Sequence, residues 1–229
     1  MLAQVKGRKY TQGKWLDFED ILAQEIELVI HLKGKTKKLL ASPFDLESLV
    51  LGHVKLEFLD SEEFPFIVKK EGFDYFIEVE KKKTLVSKEF AFKLEPELLL
   101  NLSKEFREKE SKWNLTGCFH RMAFWSPEKQ GFILEVEDIG RHNCVDRLVG
   151  LALTQGIDLG QGVFFGSARI TFSLLQKLVK AGFKVLVSKS AVTTASVKLA
   201  REKRITLVGF AREERFTVFS DELQRIVYA

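Results

Sequence analysis

The sequence predicts an α/β protein: a mixed sheet flanked by helices over residues 96–229, and a smaller α+β region over residues 1–95. Three observations carry this. From Phe132 onward, short apolar runs alternate with segments whose apolar residues recur at helical spacing, the rhythm of a mostly parallel layered sheet. Before residue 95 the strand-like pieces follow one another through turns, with one helical interruption. Between the halves, Glu97–Glu110 puts Leu98, Leu99, Leu102 and Phe106 on one helical side and then turns almost wholly charged, as a connector would.

Taken in order, Met1–Asp20 is polar and mixed and reads as a loosely held leader with no apolar signal core. Glu25–Leu32 alternates Ile26, Leu28, Ile30 and Leu32 against Glu25, Glu27, Val29 and His31, then passes Gly34 into Thr36–Ala41, a hairpin with His31 on the solvent face. Ser42-Pro43-Phe44-Asp45 reads as a helix start, with Ser42 as N-cap, Asp45 at the capping-box position and Gly52 as the stop. Val54–Leu59, Phe66–Lys69 and Phe73–Val79 look like strands, and Lys81–Lys83 like a solvated turn. In the second half, strands at Phe132–Val136, Val163–Phe165 and Lys184–Val187 lead to helices at Asn143–Thr154, Ile170–Lys180 and Thr194–Lys203, and a strand at Ile205–Phe210 then leads to a turn. Phe216–Phe219 and a short terminal helix close the chain.

Composition bounds the function classes. Of 229 residues, 45% are hydrophobic and 30% charged, an ordinary globular balance. The net charge of +4 is spread among interspersed acids, which suits an anionic ligand and does not argue for nucleic acid. No apolar run is long enough for a bilayer, so no membrane partner and a cytoplasmic location are expected. Cys118 and Cys144 are the only cysteines, far apart and without metal-ligand spacing, so no metal is expected.

The candidate site lies where a strand meets a helix, at Glu137–Gly150, E-D-I-G-R-H-N-C-V-D-R-L-V-G. Asn143 could cap the helix, with Asp146 three residues on. The free N–H groups of the first turn, beside Arg141 and His142, make an anion site. Glu137 and Asp138 could instead pair with Arg141 or Arg147 structurally. In parallel sheets functional loops lie beyond the carboxyl ends of the strands. Here those loops are Glu137–Asn143, Gly166–Arg169, Ser188–Thr194 and Phe210–Arg215, and they bring Arg141, Ser167, Arg169, Arg212 and Arg215. Arg169 would stand at a helix start, where a cation opposes the dipole unless an anion is near. Ser190 and Thr193 suit either a ligand or a helix cap.

These residues carry a resemblance. The stretch 137–150 resembles the E-D-V-G-R-H-N-A-V-D-K signature of the formate dehydrogenase accessory sulfurtransferase family, FdhD. Thr116–His120 resembles its T-G-G-V-H, Ser167–Lys177 its S-G-R-x-S-F-E-x-x-Q-K, and Ala181–Ala195 its A-G-x-x-V-L-V-S-x-S-A-P-T. Leu207–Phe219 and Ala41–Glu57 resemble its closing and opening motifs. The resemblance implies a cytidine-deaminase-like sheet with a smaller second domain, and a homodimer. It implies an accessory protein that takes sulfur from a cysteine desulfurase and serves formate dehydrogenase by binding its molybdenum cofactor, bis(molybdopterin guanine dinucleotide). The family's cofactor-binding stretch falls on Phe210, Ala211, Arg212, Glu213, Glu214 and Arg215. One departure stands out: the interval Phe58–Leu115, where the family carries its C-G-x-C sulfur loop, has no cysteine. Three readings follow: a cofactor- or guanine-nucleotide-binding protein without sulfur transfer, a sulfurtransferase using Cys118, or a deaminase-like enzyme. The last would need a C-x-x-C pair and a glutamate beside His120.

Overall fold

The computed structural model of the chain describes residues 2–82 and 89–228; Lys83, the last of the three-lysine run, lies outside them. The segment read as a loose leader is an antiparallel hairpin, β1 (Leu2–Thr11) and β2 (Lys14–Ala23), turned at Gln12 and Gly13, both at positive φ. One face carries the pairs Lys6–Glu19, Arg8–Asp17 and Tyr10–Trp15; the other carries Val5, Leu16, Phe18 and Leu22. Both faces are open to solvent, so the apolar alternation of a half-buried strand is missing from the sequence.

A four-stranded sheet follows, in the order β4-β3-β6-β5, from β3 (Ile26–Leu32), β4 (Lys35–Ala41), β5 (Glu63–Glu71) and β6 (Asp74–Lys81). Its inner face packs Leu28, Ile30 and Tyr75 against Leu49, Val50 and Val54 of α1 (Leu46–Phe58). His31 is on the outer face, as expected, 2.7 Å from the Asp74 carboxylate and stacked on Phe76. Helix α1 departs from expectation at both ends. It starts after Asp45, which holds a left-handed conformation at φ 44°, and Ser42–Asp45 forms a separate turn. It then runs through Gly52 to Phe58 and absorbs most of the Val54–Leu59 segment read as a strand.

The second sheet has six strands in the order β12-β11-β10-β9-β7-β8: β7 (His120–Ser126), β8 (Gly131–Asp138), β9 (Val163–Gly166), β10 (Val185–Ser188), β11 (Thr206–Arg212) and β12 (Arg215–Ser220). Strands β9, β10 and β11 are mutually parallel; β7, β8 and β12 run antiparallel to their neighbours. Strand β7 has no counterpart in the sequence reading. One sheet face buries Met122, Phe124, Phe164 and Leu186 under α4 (Arg141–Gln155), α5 (Phe172–Lys180) and α6 (Thr194–Glu202). The other buries Trp125, Phe165 and Val187 under α2 (Pro96–Glu108), the helix expected as connector. A single turn, α3 (Trp113–Thr116), follows and touches β2. The expected terminal helix is instead a turn and a bridge pairing Ile226 with Leu94. No helix among the described residues is long and apolar enough to cross a membrane.

Two local expectations are corrected, and a third is decided in favour of a helix cap. Helix α4 starts at Arg141 with Gly140 as its N-cap, so Asn143 lies inside the first turn and does not cap it. Its amide donates to the Leu40 carbonyl at 2.8 Å and to Asp138 at 3.1 Å. Helix α5 starts at Phe172; Ile170 pairs with Val192, so Arg169 sits in a loop and not on a helix start. Thr193 is the N-cap of α6, in a reciprocal capping box with Ser196.

Candidate functional site

Sheet topology sets one edge apart. The parallel strands end at Gly166, Ser188 and Arg212; β7 begins at His120, two residues before Met122, which pairs with Gly166, and β8 ends at Asp138 opposite His120. The four loops picked out by the sequence therefore share one edge. Hydrogen bonds knit three of them: the Lys189 amide donates to the Gly166 carbonyl at 3.1 Å and the Phe210 amide to the Ser190 carbonyl at 3.0 Å. Arg121 donates its amide to Ser167 Oγ at 2.9 Å. Four strand spacings separate β11 from β8, about 19 Å, so the edge is long.

Positive charge gathers at its β7–β9 end. The His120 imidazole is half-buried, and burial holds its pKa below the usual histidine value, helped by the charges of Arg141, Arg169 and Lys189. Lys189 is held below the usual lysine value by burial and by the neighbouring Arg121 and Arg107. His142 is lowered too, by burial and then by Lys177 and Arg141, with its Nε2 3.4 Å from Ser173 Oγ. Among the described residues Arg141, Arg169 and Lys189 make no ion pair. Buried guanidinium nitrogens of Arg107 and Arg141 have no hydrogen-bond partner. Leaving a buried donor unmade costs about 1–3 kcal/mol, so this is an environment short of an anion.

Other residues of the signature hold structure. Arg147 is fully buried, 2.7 Å from the equally buried Asp138, and donates to the carbonyls of Ser42, Phe44 and Asp45. Glu137 takes the amide and the ammonium of Lys112, at 2.9 and 2.7 Å, and not an arginine. Asp146 lies within 3.0 Å of His53 and 2.7 Å of Lys177, which also reaches Glu57 at 3.0 Å. The stretch 210–215 is mixed: Ala211 points into the core under α2, so only its backbone could meet a ligand. Arg212, Glu213, Glu214 and Arg215 are exposed at the β11–β12 turn.

A model of the FdhD/NarQ family matches residues 68–227. The chain belongs to that family. It is 30% identical over 222 residues to Protein FdhD of Methanocaldococcus jannaschii, covering 96% of this chain and 97% of that protein. It is 29% identical over 248 residues to Sulfur carrier protein FdhD of Bacillus subtilis, covering 93% of each. A crystal structure of a candidate formate dehydrogenase accessory protein from Desulfotalea psychrophila superimposes with a TM-score of 0.83 at 20% identity, over 99% of each chain, and so shares the fold.

The two cysteines of this FdhD/NarQ member differ sharply. Cys144 is fully buried in the first turn of α4, with its Sγ 3.5 Å from the His120 carbonyl. Burial, with Asp138 nearby, pushes its thiol well above the usual range, so it is a packed small residue and a poor nucleophile. Cys118 is exposed. It follows Gly117, whose φ of 68° ends α3, and its amide donates to Thr116 Oγ1 at 3.2 Å. It lines a recess of about 420 Å³ with His120, Ser167, Lys189, Arg107 and Trp113. Of these, Lys189, Arg107 and Trp113 escaped the sequence reading, because they come from a loop, α2 and α3 with no shared pattern. A thiol-titrating disulfide reagent should modify one thiol in the native protein and two after denaturation, and Cys118→Ser should leave none in the native state.

Proposed function

We propose that this chain is an accessory protein of formate dehydrogenase maturation. It binds the phosphate-bearing molybdenum bis(molybdopterin guanine dinucleotide), or a guanine-nucleotide portion of it, along the strand-end edge. The observation that supports this best is the set Arg141, Arg169 and Lys189, without ion pairs, around a His120 whose pKa burial and these cations lower, with buried guanidinium nitrogens lacking partners. Guanidinium groups match phosphate oxygens in charge and in fork geometry. Arg212 and Arg215, further along the edge, suit a second phosphate or the far end of an extended ligand. When bound, the cofactor supplies the metal that receives sulfur; the chain's residues bind and orient it. Family membership extends the proposal to its partners: formate dehydrogenase as the protein served, a cysteine desulfurase as the sulfur donor, and a second copy of the chain in a homodimer.

Guanosine diphosphate tests the binding. At a hundredfold excess over its Kd a ligand specific for the folded state adds about 2.7 kcal/mol of stability, several degrees in Tm. Arg141→Ala and Arg169→Ala should each weaken binding by roughly tenfold to a hundredfold, the loss of about 1.5–3 kcal/mol for a charge-assisted hydrogen bond. Unchanged Tm at saturating nucleotide would overturn the assignment.

A further inference from the structure

One helical turn in from the strand-end edge, where α1, α4 and α5 meet, lies a cluster of charged side chains that would not themselves touch a ligand at the edge. We infer that these residues, Lys177, Asp146, His53 and Glu57, form a positioning array for His142, which stands at the edge as one of the groups that meet a bound phosphate. The inference rests on the cofactor-binding role proposed above and names the residues that act on that site from behind.

Helical spacing builds the array. Residues four apart share one helix face, about 6 Å along the axis. Each of the three helices carries two polar residues at that spacing: His53 and Glu57 on α1, His142 and Asp146 on α4, Ser173 and Lys177 on α5. The pairs from α4 and α5 make two rungs, one turn apart. The first rung is at the edge, with His142 Nε2 3.4 Å from Ser173 Oγ, and Thr171, the N-cap of α5, reaches Ser173 at 3.3 Å. The second rung is buried, with Lys177 Nζ 2.7 and 2.9 Å from the two Asp146 oxygens. Helix α1 clamps this rung: His53 Nδ1 is 3.0 Å from Asp146, and Glu57 is 3.0 Å from Lys177. A slide of α4 along α5 that parted His142 from Ser173 would have to break the second rung.

Two observations separate the array from plain structural support. First, stability does not call for it. Asp146 is 1% exposed, and a buried ion pair is often no better for stability than apolar side chains of the same volume. The seam has a close fit without it, since Gly52 and Gly150 bring the backbones of α1 and α4 together. A network placed for support alone would also be complete. Yet among the described residues His53 Nε2 has no hydrogen-bond partner, and Asp146 Oδ1 meets Lys177 by charge without hydrogen-bond geometry. Second, the charges of the array reach the ring. Burial holds the His142 imidazole below the usual histidine value, Lys177 and Arg141 push it further down, and Asp146 and Glu57 pull it up. The charged groups facing the ring are thus Lys177 of α5, Arg141 and Asp146 of α4 and Glu57 of α1. His142 is uncharged at neutral pH and gains its proton on acidification, when it adds a cation to Arg141 and Arg169 for a phosphate to meet.

The pH dependence of nucleotide affinity tests the array. Guanosine diphosphate is titrated onto the full chain, and the His142 ring is followed by nuclear magnetic resonance in its absence. As pH falls from about 7.5 to about 5.5, wild-type affinity should rise about tenfold more than that of His142→Gln, the gain from one added charge-assisted hydrogen bond. The nucleotide's own titration is common to every variant and drops out of the comparison. Lys177→Met removes a cation and should move the rise in affinity, and the ring's titration, to higher pH. Asp146→Asn and Glu57→Gln each remove an acid and should move both to lower pH. A lost structural support would instead weaken binding in all three and leave the titration where it was. The Glu57 side chain is 45% exposed, so Glu57→Gln keeps the fold and decides the matter alone should either buried substitution unfold the chain. Shifts of one sign in Lys177→Met and Glu57→Gln, or no shift in Glu57→Gln, overturn the inference. So does an effect of Lys177→Met on the affinity profile that persists in the His142→Gln background. A nucleotide response with an unmoved ring titration removes the array alone. No nucleotide response at any pH brings down the cofactor-binding reading, and the inference with it.

Discussion

Arg147→Ala should destabilise the fold by about 3–5 kcal/mol, the range for removing one partner of a buried ion pair. Arg147 is fully buried, as is Asp138, whose carboxylate would remain with only the Gly140 amide at 2.8 Å and the Asn143 amide at 3.1 Å. The same substitution strips the donor from the carbonyls of Ser42, Phe44 and Asp45 and from the ring of Phe44, 4.5 Å from the guanidinium carbon. Those carbonyls form the turn that enters α1, so the damage spreads from the large sheet to the small one. Replacing both charges, Asp138→Asn with Arg147→Met, should cost less than Arg147→Ala alone, because no naked carboxylate is left buried. Urea titration of the three proteins measures this, and equal midpoints for Arg147→Ala and the wild type would refute it.

Gly150→Ala should be comparably severe, at about 3 kcal/mol or more. Helix propensity alone argues the other way, since alanine in a helix interior is favoured over glycine by about 0.8–1.0 kcal/mol. Packing overrides it. A Cβ on Gly150 would stand 1.9 Å from the Ser48 carbonyl oxygen, and one on Gly52 would stand 1.8 Å from that of Asp146. These are backbone atoms of the facing helix and cannot rotate away, so α1 and α4 must separate. Because α1 is the helix of the smaller sheet and α4 a helix of the larger, that separation also loosens the Ser42–Asp45 turn. The measurement is the midpoint of chemical unfolding; a midpoint equal to or above that of the wild type would show that the helices tolerate the spacing.

How much of this was legible in the sequence depended on whether a partner was local. The strands at 163, 185 and 206 are short apolar runs buried on both faces, and composition alone marks them. The loops at their carboxyl ends follow from the parallel-sheet rule, so the edge was foreseen. The start of α1 was misplaced because Ser42-Pro43-Phe44-Asp45 carries every local sign of a cap. What holds it as a turn is Arg147, more than a hundred residues away. Gly52 was read as a stop because glycine usually marks helix ends; its reason here is α4 crossing against it. The hairpin at the start of the chain gave no alternation because, among the described residues, both its faces are largely open to solvent. At the site, Arg141 and Arg169 were visible within motifs, whereas Lys189 and Arg107 join the recess only through the fold.

That first hairpin has a consequence for how the molecule breathes. Among the described residues, strands β1 and β2 hydrogen-bond to each other and to no other strand, and apart from the touch on α3 they share no core with the rest. A lone two-stranded ribbon is marginal in water. Its opening therefore exposes almost no buried apolar surface and lies at the low end of the free-energy scale, while β7, β9 and β10 open only when the whole molecule does. In hydrogen exchange residues 2–23 should form a separate, weakly protected unit. The ribbon can therefore shift against α3 without disturbing the strand ends of the six-stranded sheet.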